Sequence, residues 1–385
     1  MPAKSSQQKR KSISFRVGPK QLRILPRRFR SYWQESIWHK ANIVIAVTLL
    51  VILGTMYGIA RWYMWSNSHK PIEIGTTFVP NYARYFGLDP KETLSAIFDD
   101  LEIKNIRLVS YWSIHEKERG TYDFSELDWQ MDMAAQKGVK VSLAIGLRQP
   151  RWPECHPPEW AKNIPREEWQ PELMKYIEAT VKRYRDHPAL ESYQLENEYF
   201  LKVFGICPDF SRDRLVAEYD LVKSLDSKHP VYVSRSNNAL GWPVYDPQPD
   251  SSAVSVYKRV WDKTLTKRYF EYPFPAWYYA TLAGTYKIYS GRETFIHELQ
   301  AEPWMPEGFD MKTSSIEEQD KSMDGPRLHT RFEYGRATGM KKIDLWGAEW
   351  WYWRKVHHND PSLWQAAKEE IELTRQMNKK LNASD

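Results

Sequence analysis

The sequence predicts a TIM (β/α)8 barrel preceded by a single N-terminal transmembrane helix, and three observations carry that expectation. A run of uncharged residues, Ala41–Ala60, follows a basic leader. From Glu73 onward, short runs of continuous apolar, β-rich character alternate with segments of helical period. Strands that are apolar throughout and separated by helices belong to a parallel sheet covered by those helices. Eight such units fit a barrel with loop insertions.

The leader comes first. Residues 1–41 carry eleven Lys or Arg and one acid, Glu35, a net +10 within a chain whose total is +6, so the remaining residues hold −4. A mildly acidic body excludes nucleic acid as the main partner, because phosphate binding needs a basic surface on the folded domain itself. Hydrophobic content of 42% and aromatic content of 14% exclude a chain disordered throughout, and two cysteines exclude a disulfide-stapled miniprotein. The clusters Lys9-Arg10-Lys11 and Arg27-Arg28-Phe29-Arg30 suit anionic lipid on a cytoplasmic face, although a plain topology signal explains them more simply.

The apolar run is next. Twenty helical residues at about 1.5 Å each cover the roughly 30 Å hydrocarbon core of a bilayer. Trp38, Trp62, Tyr63 and Trp65 flank it, where amphipathic rings favour the headgroup level, and the positive excess lies on the amino-terminal side. The expectation is a basic cytoplasmic tail (1–40), a bilayer-spanning helix (41–63), a short linker (64–72) and a barrel (73–385) on the extracytoplasmic side. Two other readings compete: a cleaved secretory signal and the buried helix of a soluble protein. The signal reading meets too long a leader and, in Gly58-Ile59-Ala60, only a weak cut site.

The expected strands are 74–79, 106–111, 139–145, 192–195, 231–234, 253–257, 294–298 and 343–346. Helices are expected at 90–103, 126–137, 171–186, 212–225, 275–289, 315–338 and 361–380, and the fifth connection, 238–252, looks irregular. A doubly wound open sheet is the alternative. It normally places a glycine-rich phosphate turn after its first strand, and Thr76-Thr77-Phe78-Val79-Pro80 is nothing like one.

A barrel places its reacting groups at the carboxyl ends of strands. The fourth run ends in Gln194-Leu195-Glu196-Asn197-Glu198-Tyr199 and the seventh in Phe295-Ile296-His297-Glu298-Leu299-Gln300. Those ends lie on opposite sides of the barrel mouth, so two glutamates can face each other across it. Retaining glycoside hydrolysis uses two carboxyl groups about 5–5.5 Å apart, one as nucleophile and one as acid and then base.

On these residues the chain resembles the large clan of retaining TIM-barrel glycosidases, clan A, which includes cellulase-like, β-mannanase-like and β-galactosidase-like families. Glu196-Asn197-Glu198-Tyr199 looks most like the strand-four motif of the β-galactosidase branches. The stretch from Gly120-Thr121-Tyr122-Asp123-Phe124 through Leu127-Asp128 also resembles the clan's segment after strand two. The resemblance implies Glu198 as general acid/base, Asn197 as a ligand of the sugar 2-hydroxyl and Glu298 as nucleophile. It further implies Arg107 ending strand two, Tyr257 ending strand six beside the nucleophile, and Trp346 ending strand eight under the sugar. The chain departs from several branches at Ser255, where a histidine precedes the strand-six tyrosine, and Ser234-Arg235-Ser236-Asn237-Asn238 matches no particular branch.

Trp112, Trp152, Trp261, Trp304, Trp346, Trp350, Trp351 and Trp353 fall at or just after strand ends, where sugar faces can stack; each serves equally well as a packing ring. Trp346, Trp304 and Trp152 are taken as substrate-binding candidates. His297 precedes the expected nucleophile and on alternation points away from the barrel axis, which favours a packing role. His115 and Arg148 are further cleft candidates, while Glu196, Glu293, Glu302 and Glu349 read as solvated or salt-bridged loop acids. There is no His-x-His after strand one, no His-Glu-x-x-His and no Gly-x-Ser-x-Gly, so no metal, cofactor or serine triad is expected. Cys155 and Cys207 lie in the loops after strands three and four; a disulfide and two free thiols both remain open. The expected function is membrane-anchored retaining hydrolysis of a β-linked extracellular or wall oligo- or polysaccharide. Transglycosylation by the same residues and a catalytically silent glycan-binding barrel are the alternatives.

Overall fold

A computed structural model describes residues 31–32, 36–236 and 247–383. The chain divides into two compact units, 1–56 and 57–385. Most of the basic leader, and most of the expected irregular fifth connection, lie outside the described residues.

Among the described residues one helix, Ile37–Ser66, is long and apolar enough to cross a membrane. Its side chains from Val44 to Leu53 include Ile45, Leu49, Leu50 and Val51, all more than half exposed, which water alone does not favour. The helix outruns the expected 41–63 at both ends. Its last turns belong to the second unit, where Ala60 and Tyr63 are buried and the Tyr63 hydroxyl donates to the Thr294 carbonyl at 3.4 Å.

The second unit is a closed parallel barrel. In chain order the strands are β1 (Glu73–Thr77), β2 (Asn105–Val109), β3 (Lys140–Ile145), β4 (Leu190–Leu195), β5 (Val231–Arg235), β6 (Ser251–Val256), the short β7 (Arg259–Trp261) and β8 (Tyr269–Glu271), β9 (Thr294–Gln300) and β10 (Lys342–Trp346). The barrel runs β1-β10-β9-β6-β5-β4-β3-β2. The open-sheet alternative falls with that closure: β1 pairs both β2, at Thr77↔Arg107, and β10, at Thr76↔Leu345. Strands β7 and β8 form an antiparallel hairpin in the loop after β6, which no sequence signal announced.

Helix starts follow their caps. Asp89 accepts from the Glu92 amide at 2.8 Å with Pro90 in the first turn, opening Pro90–Asp99. Where one helix was expected over 315–338 there are two, Ile316–Asp320 and Gly325–Ala337. Each has its own cap: Ser315 for the first, and for the second Asp324, which accepts from the Arg327 amide at 2.8 Å. Short helices at Trp112–His115 and Ala348–His357 follow β2 and β10.

Between barrel and helices lies one continuous apolar core that includes Leu108, Leu143, Leu195, Val233, Ile296 and Leu345. Trp112, Trp350, Trp351 and Trp353 are buried in it, so they are packing rings rather than sugar platforms. The barrel interior is polar instead: Arg107, Gln194, Tyr232, His297 and Asp344, from five strands, are all buried.

Candidate active site

Arg107, fully buried on β2, organises the interior. Its Nε donates to Thr77 Oγ1 at 2.8 Å, Nη1 to Gln194 Oε1 at 2.9 Å, and Nη2 to Glu298 Oε1 at 2.8 Å. Tyr257, just past β6, donates its hydroxyl to the other Glu298 oxygen at 2.7 Å. Both oxygens of Glu298 are therefore held by donors, one of them charged.

Glu198 stands opposite, just past β4. Burial, and then the nearby Glu298, push its carboxyl up to about 7. Its backbone amide donates to Ser234 Oγ at 2.9 Å. Glu196 and Glu198 both have left-handed backbones, φ 56° and 44°, which cost strain in non-glycine residues and persist only when surroundings fix them. Here the fixing is visible. Glu196 accepts from the Leu147 and Arg148 amides at 2.6 and 2.9 Å and from Arg214 at 2.9 Å. The approach is so close that a Cβ on Gly146 would stand 2.4 Å from Glu196 Oε1, so only glycine serves there. Glu196 is thus the salt-bridged loop acid that the sequence reading expected.

His297 corrects that reading. It is wholly buried, bonded to Arg107 Nη1 at 2.6 Å through Nδ1 and to Ser255 Oγ at 3.0 Å through Nε2. Alternation fails because the register shifts: Val254 pairs Ile296 but Ser255 pairs Glu298, which leaves His297 as an extra residue. Such a bulge re-aims side chains, and here neighbouring residues both reach the site. Arginine is only a donor, so His297 Nδ1 accepts, Nε2 carries the proton toward Ser255, and the Ser255 hydroxyl donates onward to Glu198 Oε1. Burial and the Arg107 charge keep the imidazole neutral. Ser255, noted in the sequence only as a departure, is the link between strand seven and Glu198.

Asn197 is buried beside the pair; its Oδ1 accepts from Gln194 at 2.9 Å and its Nδ2 donates to Glu154 Oε2 at 3.3 Å. Glu154 went unnoticed in the sequence. Burial and the Glu198 charge push its carboxyl up to about 8. Cys155 and Cys207 form a disulfide, which ties the Glu154 loop to the loop after β4. Arg148 is buried against Glu154 and the Phe204 carbonyl, and His115 against Phe124 and Tyr176, so neither is an open cleft wall. Of the three aromatic candidates, Trp304 meets Tyr257 edge-on at 5.5 Å and Trp152 is 63% exposed. Trp346 is buried with the Arg151 guanidinium 3.9 Å from its ring centre, so that face is already covered.

Comparison with known proteins adds to this geometry. Residues 90–231 match the glycoside hydrolase 42 family, described as beta-galactosidase. The matched range contains Arg107, Asn197 and Glu198 and stops before Glu298. Beta-galactosidase LacZ of Heyndrickxia coagulans is 30% identical over 105 residues, 23% of this chain and 16% of that protein. Among solved structures, the polyextremophilic beta-galactosidase of the Antarctic haloarchaeon Halorubrum lacusprofundi aligns with TM-score 0.52 and 14% identity, covering 79% of this chain and 58% of that one. The beta-galactosidase of Bacillus circulans sp. alkalophilus gives 0.54 and 12%, covering 81% and 57%. A GH5_18 variant from Bifidobacterium longum subsp. longum, in complex with Manb1-4GlcNAc, gives 0.56 and 10%, covering 79% and 78%. The chain thus spans less than two thirds of the β-galactosidases it matches. The chain shares the TIM-barrel fold of these glycoside hydrolases, and its sequence match covers the second to fourth strands of that barrel.

Proposed function

We propose that the protein is a membrane-anchored retaining glycoside hydrolase that cleaves β-glycosidic bonds of an extracellular or wall glycan. The observation that carries this reading is the unequal treatment of two carboxyls: Glu298 held at both oxygens by Arg107 and Tyr257, Glu198 buried and raised to about 7. Environments that push paired carboxyls apart assign one as nucleophile and the other as acid. A Glu298 oxygen attacks the anomeric carbon as the bond to the leaving oxygen breaks, and the Glu198 proton passes to that oxygen. Water, giving a proton to Glu198, then attacks the same carbon and releases Glu298. Asn197, Trp304 and Trp152 are the proposed sugar contacts, while Trp346, covered by Arg151, backs the site from behind.

Trapping with a 2-fluoro glycoside is expected to label Glu298; labelling of Glu302 or Glu349 refutes the assignment. Hydrolysis and transglycosylation differ only in the second acceptor and separate by product analysis, while a silent binder gives no turnover of any aryl β-glycoside. Anchoring is supported by the apolar helix and by the disulfide, which fits an oxidising compartment. The full chain should stay with membranes through alkaline carbonate extraction, and release into the supernatant defeats the anchor.

A further inference from the structure

The amino end of the barrel, opposite the mouth that carries the two glutamates, holds a cavity of about 500 Å³. Its wall is built from strand starts, with Glu73 on β1, Glu191 on β4, Thr294 on β9 and Lys342 on β10. The last turns of helix Ile37–Ser66 contribute Tyr63, and the chain leading from that helix into β1 contributes Asn67 and Lys70. The volume is that of a small-molecule site.

The charges in this wall do not cancel. Glu293 is shared by Lys70 at 3.0 Å and Lys287 at 2.6 Å, and Glu191 by Lys140 at 2.9 Å and Lys342 at 3.2 Å. Each of those carboxylates already carries two ammonium groups. Lys341, also in the wall, has no acidic partner within salt-bridge distance among the described residues, and burial together with the Lys70 charge holds its ammonium below the ordinary lysine range. Of the acids lining the cavity, Glu73 alone is left to oppose this excess. Uncharged polar groups are left over too. Asn67 is 1% exposed and its Nδ2 makes no hydrogen bond; the Thr294 hydroxyl, equally buried, makes none either. Buried donors are nearly always paired. An anion entering the cavity meets this amide, Lys341 and Lys70 together.

Depth points to the source of that anion. Asn67 follows Ala60, the end of the uncharged run, by about two turns, about 10 Å of helix. The polar layer outside the hydrocarbon core is roughly 5–8 Å deep on each side. Trp62 and Trp65, both exposed, lie between the two positions, where such rings mark the headgroup level. The cavity therefore stands at the outer edge of the headgroups of the leaflet that the helix leaves.

We propose that this cavity binds the phosphate headgroup of an anionic phospholipid, with Lys341, Lys70 and Asn67 as its donors. The inference rests on the anchored reading for the source of the ligand, and it does not depend on the glycosidase reading. Full-length protein in neutral detergent is titrated with dihexanoyl-phosphatidylglycerol, dihexanoyl-phosphatidylcholine, glycerol 3-phosphate and inorganic phosphate, and binding is read by native mass spectrometry. The phosphatidylglycerol should bind roughly tenfold tighter than the other three, with an advantage that shrinks as salt rises. Lys341→Gln and Asn67→Asp, checked for unchanged melting, should lose that advantage, and Lys341→Arg should keep it. Equal binding of the two lipids, or an advantage intact in both variants, overturns the proposal. Binding of either soluble phosphate as tight as that of phosphatidylglycerol overturns the lipid as occupant. A chain that resists carbonate extraction but shows no lipid preference sinks the headgroup site alone; a preference in a chain that carbonate releases upholds the site and sinks the anchor.

Discussion

Removing the Ser255 hydroxyl takes a donor from Glu198 and an acceptor from a buried imidazole. The donated bond favours the ionised Glu198, so Ser255→Ala should raise this carboxyl further, not lower it. A hydrogen bond to a charged group is worth about 1.5–3 kcal/mol. At about 1.4 kcal/mol per pKa unit, this moves the alkaline limb of kcat/KM upward by about 1 to 2 pH units. The wild-type limb is expected near 7, where Glu198 loses its proton. The orphaned His297 N–H costs stability as well, about 1–3 kcal/mol for a buried unpaired donor. The assay is kcat/KM for an aryl β-glycoside across the alkaline range, with Ser255→Thr as the variant that keeps the hydroxyl and should restore the limb. A limb that stays in place in the alanine variant, or moves down, or a threonine variant indistinguishable from alanine, refutes the chain from Arg107 to Glu198.

Two further outcomes follow from burial and from the disulfide. Above the ordinary carboxylate range and up to about 7, folded Glu198 holds a proton that the unfolded chain has released, so its contribution to stability falls as pH rises through that window. Glu198→Gln cannot ionise and should therefore melt above wild type at about pH 8 while differing little at about pH 5; a gain of equal size at both contradicts the raised carboxyl. Joint replacement of Cys155 and Cys207 by serine opens a loop of 52 residues. The chain-entropy account predicts a loss of about 4 kcal/mol, read by denaturant unfolding; an unchanged midpoint removes the disulfide from the stability of the mouth.

The parts of the molecule that repeat a simple rule were legible in the sequence. Eight buried strands, the helices between them and the strand-end glutamates all follow from periodicity and barrel geometry; Tyr257 follows strand six as the resemblance implied, whereas Arg107 lies in the middle of β2 rather than at its end. What escaped reading breaks periodicity or depends on distant partners. His297 and Glu298 both face inward only because of a one-residue bulge against β6 that alternation cannot anticipate. Glu154 and Arg151 lie in a loop whose residues at positive φ, 75° and 80°, turn side chains in directions no strand or helix period encodes. Gln194 was visible within the strand-four motif, but its role comes from Arg107, Tyr232 and Asn197 converging on it from other parts of the chain. The break near Lys321 was the one miss with a local signal: Asp324 with Pro326 is a helix start inside an expected helix.

The departure at strand six is resolved by the same bulge. Arg107 has to satisfy Glu298 directly, yet any cation there also draws protons away from Glu198. Passing one arm of the guanidinium through His297 and Ser255 delivers to Glu198 a neutral hydroxyl donor in place of a second positive charge. A neutral donor lowers the carboxyl less than a cation would. Desolvation therefore still wins, and Glu198 is left raised while Glu298 keeps its arginine. Serine and histidine at these two positions form one device: serine is short enough to stand between Glu198 and the imidazole that β9 carries inside next to Glu298. A regular register would keep only one of His297 and Glu298 inside, so insertion or deletion of one residue before Glu298 should abolish turnover even where the barrel still folds.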